Sequence, residues 1–127
     1  MRIVIVEPEK RAYVQEIDHR LESMQKVVGG YIQIVYPFPE PIALVCNEEG
    51  KLLGLPLNRG LRDEDGELYD IISGTFFLCG APVDSDELAS LTPEQEMFCL
   101  ERFGTPELFL RMNGRLVCIS EQGSKWQ

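Results

Sequence analysis

The sequence predicts an α+β domain, a single compact unit with an antiparallel or mixed sheet and two helices. Three observations carry this. Two segments repeat apolar residues at helical spacing and end at glycine, roughly six to eight short β-branched runs are joined by turn residues, and strands and helices do not alternate regularly. A doubly wound parallel fold needs that alternation.

From the amino terminus, Arg2 to Val6 is a β-branched run closed by Pro8, which cannot donate to a ladder. Tyr13 to Ile17 reads as its hairpin partner across the turn Glu7-Pro8-Glu9-Lys10. Asp18 is the candidate N-cap for a helix over 19–28, whose apolar stripe is Leu21, Met24, Val27 and Val28. Gly29-Gly30 ends it, since glycine takes the left-handed conformation without a Cβ clash.

Tyr31 to Tyr36 is a strand halted by Pro37, Pro39 and Pro41. Ile42 to Cys46 is apolar without alternation, as in a strand covered on both faces. Asn47 to Gly50 makes a turn, and Gly54 to Gly66 is expected to be irregular. Tyr69 to Cys79 reads as one central strand with Gly74 as a bulge. In Thr92-Pro93-Glu94-Gln95, a cap, a first-turn proline, an acid at the positive end and a box-closing glutamine announce a helix. Gly104 and Pro106 close it. Leu108 to Met112 and Arg115 to Ile119 flank Asn113-Gly114, the favoured pair for a type I′ hairpin turn. Residues 1–120 thus form the domain, and 121–127 are expected to be a polar tail with Trp126 as a loose end or a docking aromatic.

Composition limits function. The net charge of −9 lies wholly in the second half: residues 1–62 hold eight acids and eight bases, and residues 63–127 hold thirteen acids and four bases. Such a field repels phosphate backbones and anionic lipid, so neither nucleic acid nor membrane is expected as a direct partner. No uncharged stretch is longer than Ile71 to Val83, which is broken by glycines and Pro82 and falls short of the ~20 apolar residues that span a bilayer. A soluble, cytoplasmic protein is expected. Cys46, Cys79, Cys99 and Cys118 show no Cys-x-x-Cys spacing and sit among apolar neighbours, as free structural thiols do.

Several chemistries lose their footing. His19 is the only histidine, so triads and histidine metal sites lack parts. Phosphate-cradling glycine loops are absent. Asp63-Glu64-Asp65-Gly66 suggests calcium, yet counting back from Gly66 puts Leu61 where the first carboxylate belongs. No catalytic residue, cofactor or metal is therefore expected.

The remaining candidate is Gly54 to Asp63. It is stiffened by Pro56 and carries Asn58, Arg59 and Arg62 in a half-chain balanced in charge. Arginine offers a planar donor fork for carboxylate or phosphate. If the turn displays these groups outward, Asn58, Arg59 and Arg62 form a site for a partner protein or a small anionic ligand. The alternative is that Asn58 caps local backbone and Arg59 pairs with a neighbouring acid.

The runs Ala43 to Gly50 and Leu55-Pro56-Leu57-Asn58-Arg59, with Ile72-Ser73-Gly74-Thr75-Phe76-Phe77 and the Gly29-Gly30-Tyr31 step, resemble the family catalogued as domain of unknown function 3846. The resemblance covers roughly residues 1–80. It implies an accessory protein of bacteria, phages or conjugative elements and draws attention to Asn58 and Arg59. It implies no reaction.

Three functions follow as expectations. The first is a non-catalytic binding or regulatory accessory module. The second is an acidic mimic of nucleic acid that blocks a DNA-binding enzyme, as antirestriction proteins do, motivated by the acids from Asp63 to Glu107. The third and weakest is a small carboxylate-dependent enzyme acting on nucleotides.

Overall fold

A computed structural model describes residues 1–120, the side chain of Ser120 excepted. The expected tail, with Trp126, lies outside the described residues. The elements run β1 (Arg2–Val6), β2 (Tyr13–Glu16), α1 (Leu21–Val28), β3 (Ile32–Val35), β4 (Ile42–Asn47), β5 (Leu57–Arg62), β6 (Leu68–Ser73), β7 (Phe76–Gly80), α2 (Pro93–Phe103), β8 (Glu107–Met112) and β9 (Arg115–Ser120). Five strands form one sheet in the order β2-β1-β7-β4-β3, with every pairing antiparallel. β5–β6 and β8–β9 are separate antiparallel hairpins. The α+β class stands.

Period-two alternation sorts the sheet's residues between two cores. Ile3, Ile5, Ala43, Val45, Phe77 and Cys79 face α1 through Met24 and Val28. Val4, Val6, Leu44, Phe76 and Leu78 face the other way, onto Cys99 and Phe103 of α2 and onto Leu61 and Ile72 of the β5–β6 hairpin. The molecule therefore has three layers: α1, the sheet, and a layer shared by α2 and that hairpin. Every residue of β4 is buried, as its unbroken apolar run predicts. Phe76 meets Phe103 edge-on, with ring centroids 5.4 Å apart.

The helix ends divide. At α2, Thr92 Oγ1 accepts from Gln95 N and Gln95 Oε1 accepts from Thr92 N, so the predicted capping box is present. At α1 the cap is Arg20 and not Asp18: the helix begins at Leu21, and no side chain caps it. His19 lies exposed just ahead of it. Gly29 takes φ +80 as the stop signal requires, and Asn113-Gly114 has both φ values positive in the β8–β9 turn.

Two expectations between Gly54 and Cys79 are corrected. The stretch expected to be irregular contains β5, bulged so that Asn58 falls between the paired positions Leu57 and Arg59. The expected single strand from Tyr69 is two strands in different sheets. Gly74 is the corner, at φ +85, with Leu55 so close that a Cβ would lie 2.7 Å from its Cδ1.

Candidate functional site

The structure turns Asn58 and Arg59 inward. Both are 0% exposed. Asn58 Nδ2 donates to the carbonyls of Val6 and Gly74 at 2.8 and 2.9 Å, tying β5 to the end of β1 and to the glycine corner. Its Oδ1 accepts from Arg59 Nη1 at 2.9 Å. Arg59 Nε donates to Phe103 O and Nη2 donates to Lys10 O. The guanidinium thus joins the turn after β1 to the end of α2 through main-chain acceptors, and no carboxylate bonds it directly. Burial lowers its proton affinity, and only the charge of Glu107 works the other way. The outward display expected of these two residues is therefore corrected. Their donors are consumed inside the fold, because β5 packs its Asn-Arg step under the sheet.

Arg62 is partly exposed and pairs with Glu107 Oε2 at 3.4 Å. The other oxygen of Glu107 accepts from Gly60 N at 2.7 Å and from Cys118 Sγ at 3.0 Å, so this carboxylate fastens the β8–β9 hairpin to β5. All three predicted residues are neighbours; the donors of Asn58 and Arg59 are used inside the fold, whereas Arg62 stays partly exposed with Glu107 as its ion-pair partner. The Asp63 loop is a local turn, with Asp63 Oδ1 accepting from Asp65 N and Glu67 N. Among the described residues no group of three or more His, Cys, Asp or Glu is placed to hold a metal.

Arg62 lines two shallow concavities, one beside the β8–β9 hairpin and one beside Pro37 to Glu40, and a further one lies away from all three residues. A cleft of about 760 Å³ separates the β3–β4 side of the sheet from β6 and the turn after β4. Its volume falls within the roughly 300–1,000 Å³ of small-ligand pockets. Val35, Cys46, Leu61 and Ile72 give it an apolar floor, beside the exposed amide of Gln33. Tyr36 and Tyr69, both largely exposed, stand on its walls.

The cleft's charged side chains are Glu48, Glu49 and Asp70 against the single ammonium of Lys51, which bonds Asp70 Oδ1. That balance favours a cation. Cys46 at the floor is buried, and burial followed by the charge of Asp70 holds its thiol above the usual value, so it is a poor nucleophile.

A rigid hinge supports the rim. Asn47 Nδ2 donates to Val28 O at 3.2 Å and its Oδ1 accepts from Glu49 N at 2.8 Å, locking the turn after β4 to the end of α1. Gly30 sits against that amide, where a Cβ would come within 2.8 Å of Nδ2. The Gly-Gly-aromatic step therefore serves this junction. Sequence reasoning passed over the cleft because Tyr36, Lys51 and Tyr69 belong to three separate segments. The one available signal was a tyrosine closing an uncharged run before three prolines.

The family model described as domain of unknown function (DUF3846) matches residues 1–104. The chain belongs to the DUF3846 family. The match includes the cleft, Asn58, Arg59 and all of α2, and it stops before the β8–β9 hairpin of this DUF3846 protein. No curated protein and no solved structure matches it. No helix among the described residues is long and apolar enough to cross a membrane.

Proposed function

We propose that this DUF3846 protein is a non-catalytic binding or regulatory module, an accessory of a mobile genetic element, and that its site is the cleft between the β3–β4 side and β6. The observation that carries this is the pairing of an apolar floor with two exposed tyrosines and an acid-rich rim. Tyrosine offers a flat face and a polar tip, suited to an aromatic or cationic group. The anionic ligand expected from outward arginines loses its support once Arg59 is internal.

The test is calorimetry with tyramine, a small aromatic cation, on the full chain. Weak binding is expected, and Tyr69→Ala should weaken it about fivefold, roughly 1 kcal/mol, with the unfolding midpoint unchanged. Equal affinity in that variant removes the cleft as the site.

A second reading, the acidic mimic of nucleic acid, is favoured by one observation. The antiparallel order brings Glu16, Glu40 and the segment Asp84 to Glu87 to one end of the sheet, where α2 also begins with Glu94. It predicts association with a basic nuclease or methylase that weakens steeply with added salt. Salt-insensitive association would rule it out.

A further inference from the structure

The cleft borders an open sheet edge, and the ladder fixes which main-chain groups that edge offers. β3 is the last strand in the sheet order. Glu48 N donates to Tyr31 O at 2.8 Å and Ile32 lies opposite Asn47, so Tyr31, Gln33 and Val35 direct their main-chain groups to β4. The amide and carbonyl groups of Ile32 and Ile34 therefore face away from the sheet. No described residue bonds to them.

Natural edges are usually blunted by charge, proline or a bulge. Tyr31 to Tyr36 contains no charge, no proline and no glycine, in a chain of net charge −9. The other edge is different, since β2 ends in Glu16 and follows Lys10-Arg11. Ile34 remains 37% exposed and Tyr31 and Tyr36 more so, which leaves an apolar margin on both sides of the free amides.

We propose that the β3 edge accepts an extended segment of a partner protein as a sixth strand, with alternate side chains entering the cleft and a lysine or arginine among them. Residues opposite Gln33 and Val35 in an added strand project on the same face as those two, which line the cleft. Main-chain bonds to Ile32 and Ile34 supply affinity, and the cleft supplies selection. Glu48, Glu49 and Asp70 outnumber Lys51 there, so the complementary side chain is basic and not acidic. A second copy of this acidic chain is a poorer occupant on the same charge argument. The inference rests on the cleft reading and adds the partner's backbone to it.

The experiment uses the isotopically labelled full chain and the blocked peptide Val-Arg-Val-Tyr-Val-Thr. Binding should slow hydrogen exchange at the Ile32 and Ile34 amides about tenfold. N-methylation of the peptide amides that face β3 should weaken binding at least about tenfold, and methylation of the alternate set should not. Replacing the peptide's arginine with glutamate should also abolish binding. Unchanged exchange at Ile32 and Ile34, with shifts confined to Cys46–Lys51 and Tyr69–Ser73, overturns strand addition and leaves the cleft reading intact. Silence in both regions overturns both. A dimer in sedimentation that Ile34→Lys dissociates gives the edge to a second copy and overturns the peptide.

Discussion

Arg59 Nε donates to the Phe103 carbonyl at 3.0 Å, so a fully buried cation in β5 closes the end of α2. Helix C-terminal carbonyls carry partial negative charge, and a guanidinium there satisfies them while its own charge is offset. Arg59 also reaches Lys10 O and Asn58 Oδ1 and so binds three parts of the chain.

Removing that side chain leaves several buried acceptors unpaired, each costing about 1–3 kcal/mol. Arg59→Met should therefore destabilise the fold by about 3 kcal/mol or more in urea unfolding. Arg59→Lys should not restore it, because one ammonium cannot reproduce the planar fork. A loss below about 0.5 kcal/mol would refute the structural role.

Thr92→Ala removes the acceptor for Gln95 N and half of the capping box. It should cost about 1 kcal/mol. Chemical denaturation of the single variant checks this, and an unchanged midpoint would count against the cap.

Acid should expose the Arg2–Glu96 pair. The hydrogen bond from Arg2 holds the Glu96 carboxyl below its ordinary value. A lowered folded-state value gives stability that is present above the unfolded value, about 4.3, and is lost as pH falls through the folded one. Glu96→Gln should therefore be less stable than the parent at pH 7, and the two unfolding curves should converge towards pH 3. Parallel curves across that range would dismiss the linkage.

Thiol chemistry follows burial. Cys79 and Cys99 are pushed up to about 12 by burial. Cys118 is pushed up to about 11, first by burial and then by its bond to Glu107. At pH 8 a disulfide reagent should react slowly with the folded chain, at Cys118 before the three buried thiols, and with all four once unfolded. Immediate reaction of all four in the folded chain would contradict this packing.

The legible parts of the sequence were local. Thr92-Pro93-Glu94-Gln95 and Asn113-Gly114 state their geometry within four residues, and Ile42 to Cys46 shows its double burial in composition alone. Asn58 and Arg59 were found as a polar pair, yet their direction depends on Val6, Lys10 and Phe103, each over 40 residues away in sequence. Gly74 reads equally as a bulge or a corner until Leu55 is placed against it. The cleft was hidden for the same reason, since Tyr36 and Tyr69 belong to different sheets and reach one cleft only through the packing of the β5–β6 hairpin on the larger sheet.

The most direct measurement is an amide chemical-shift map of the labelled chain titrated with tyramine. Shifts are expected at Tyr36, Cys46 to Lys51 and Tyr69 to Ser73, with the amides of Asn58 and Arg59 unmoved. Shifts centred on Asn58 to Arg62, with the cleft silent, would contradict the cleft as the site.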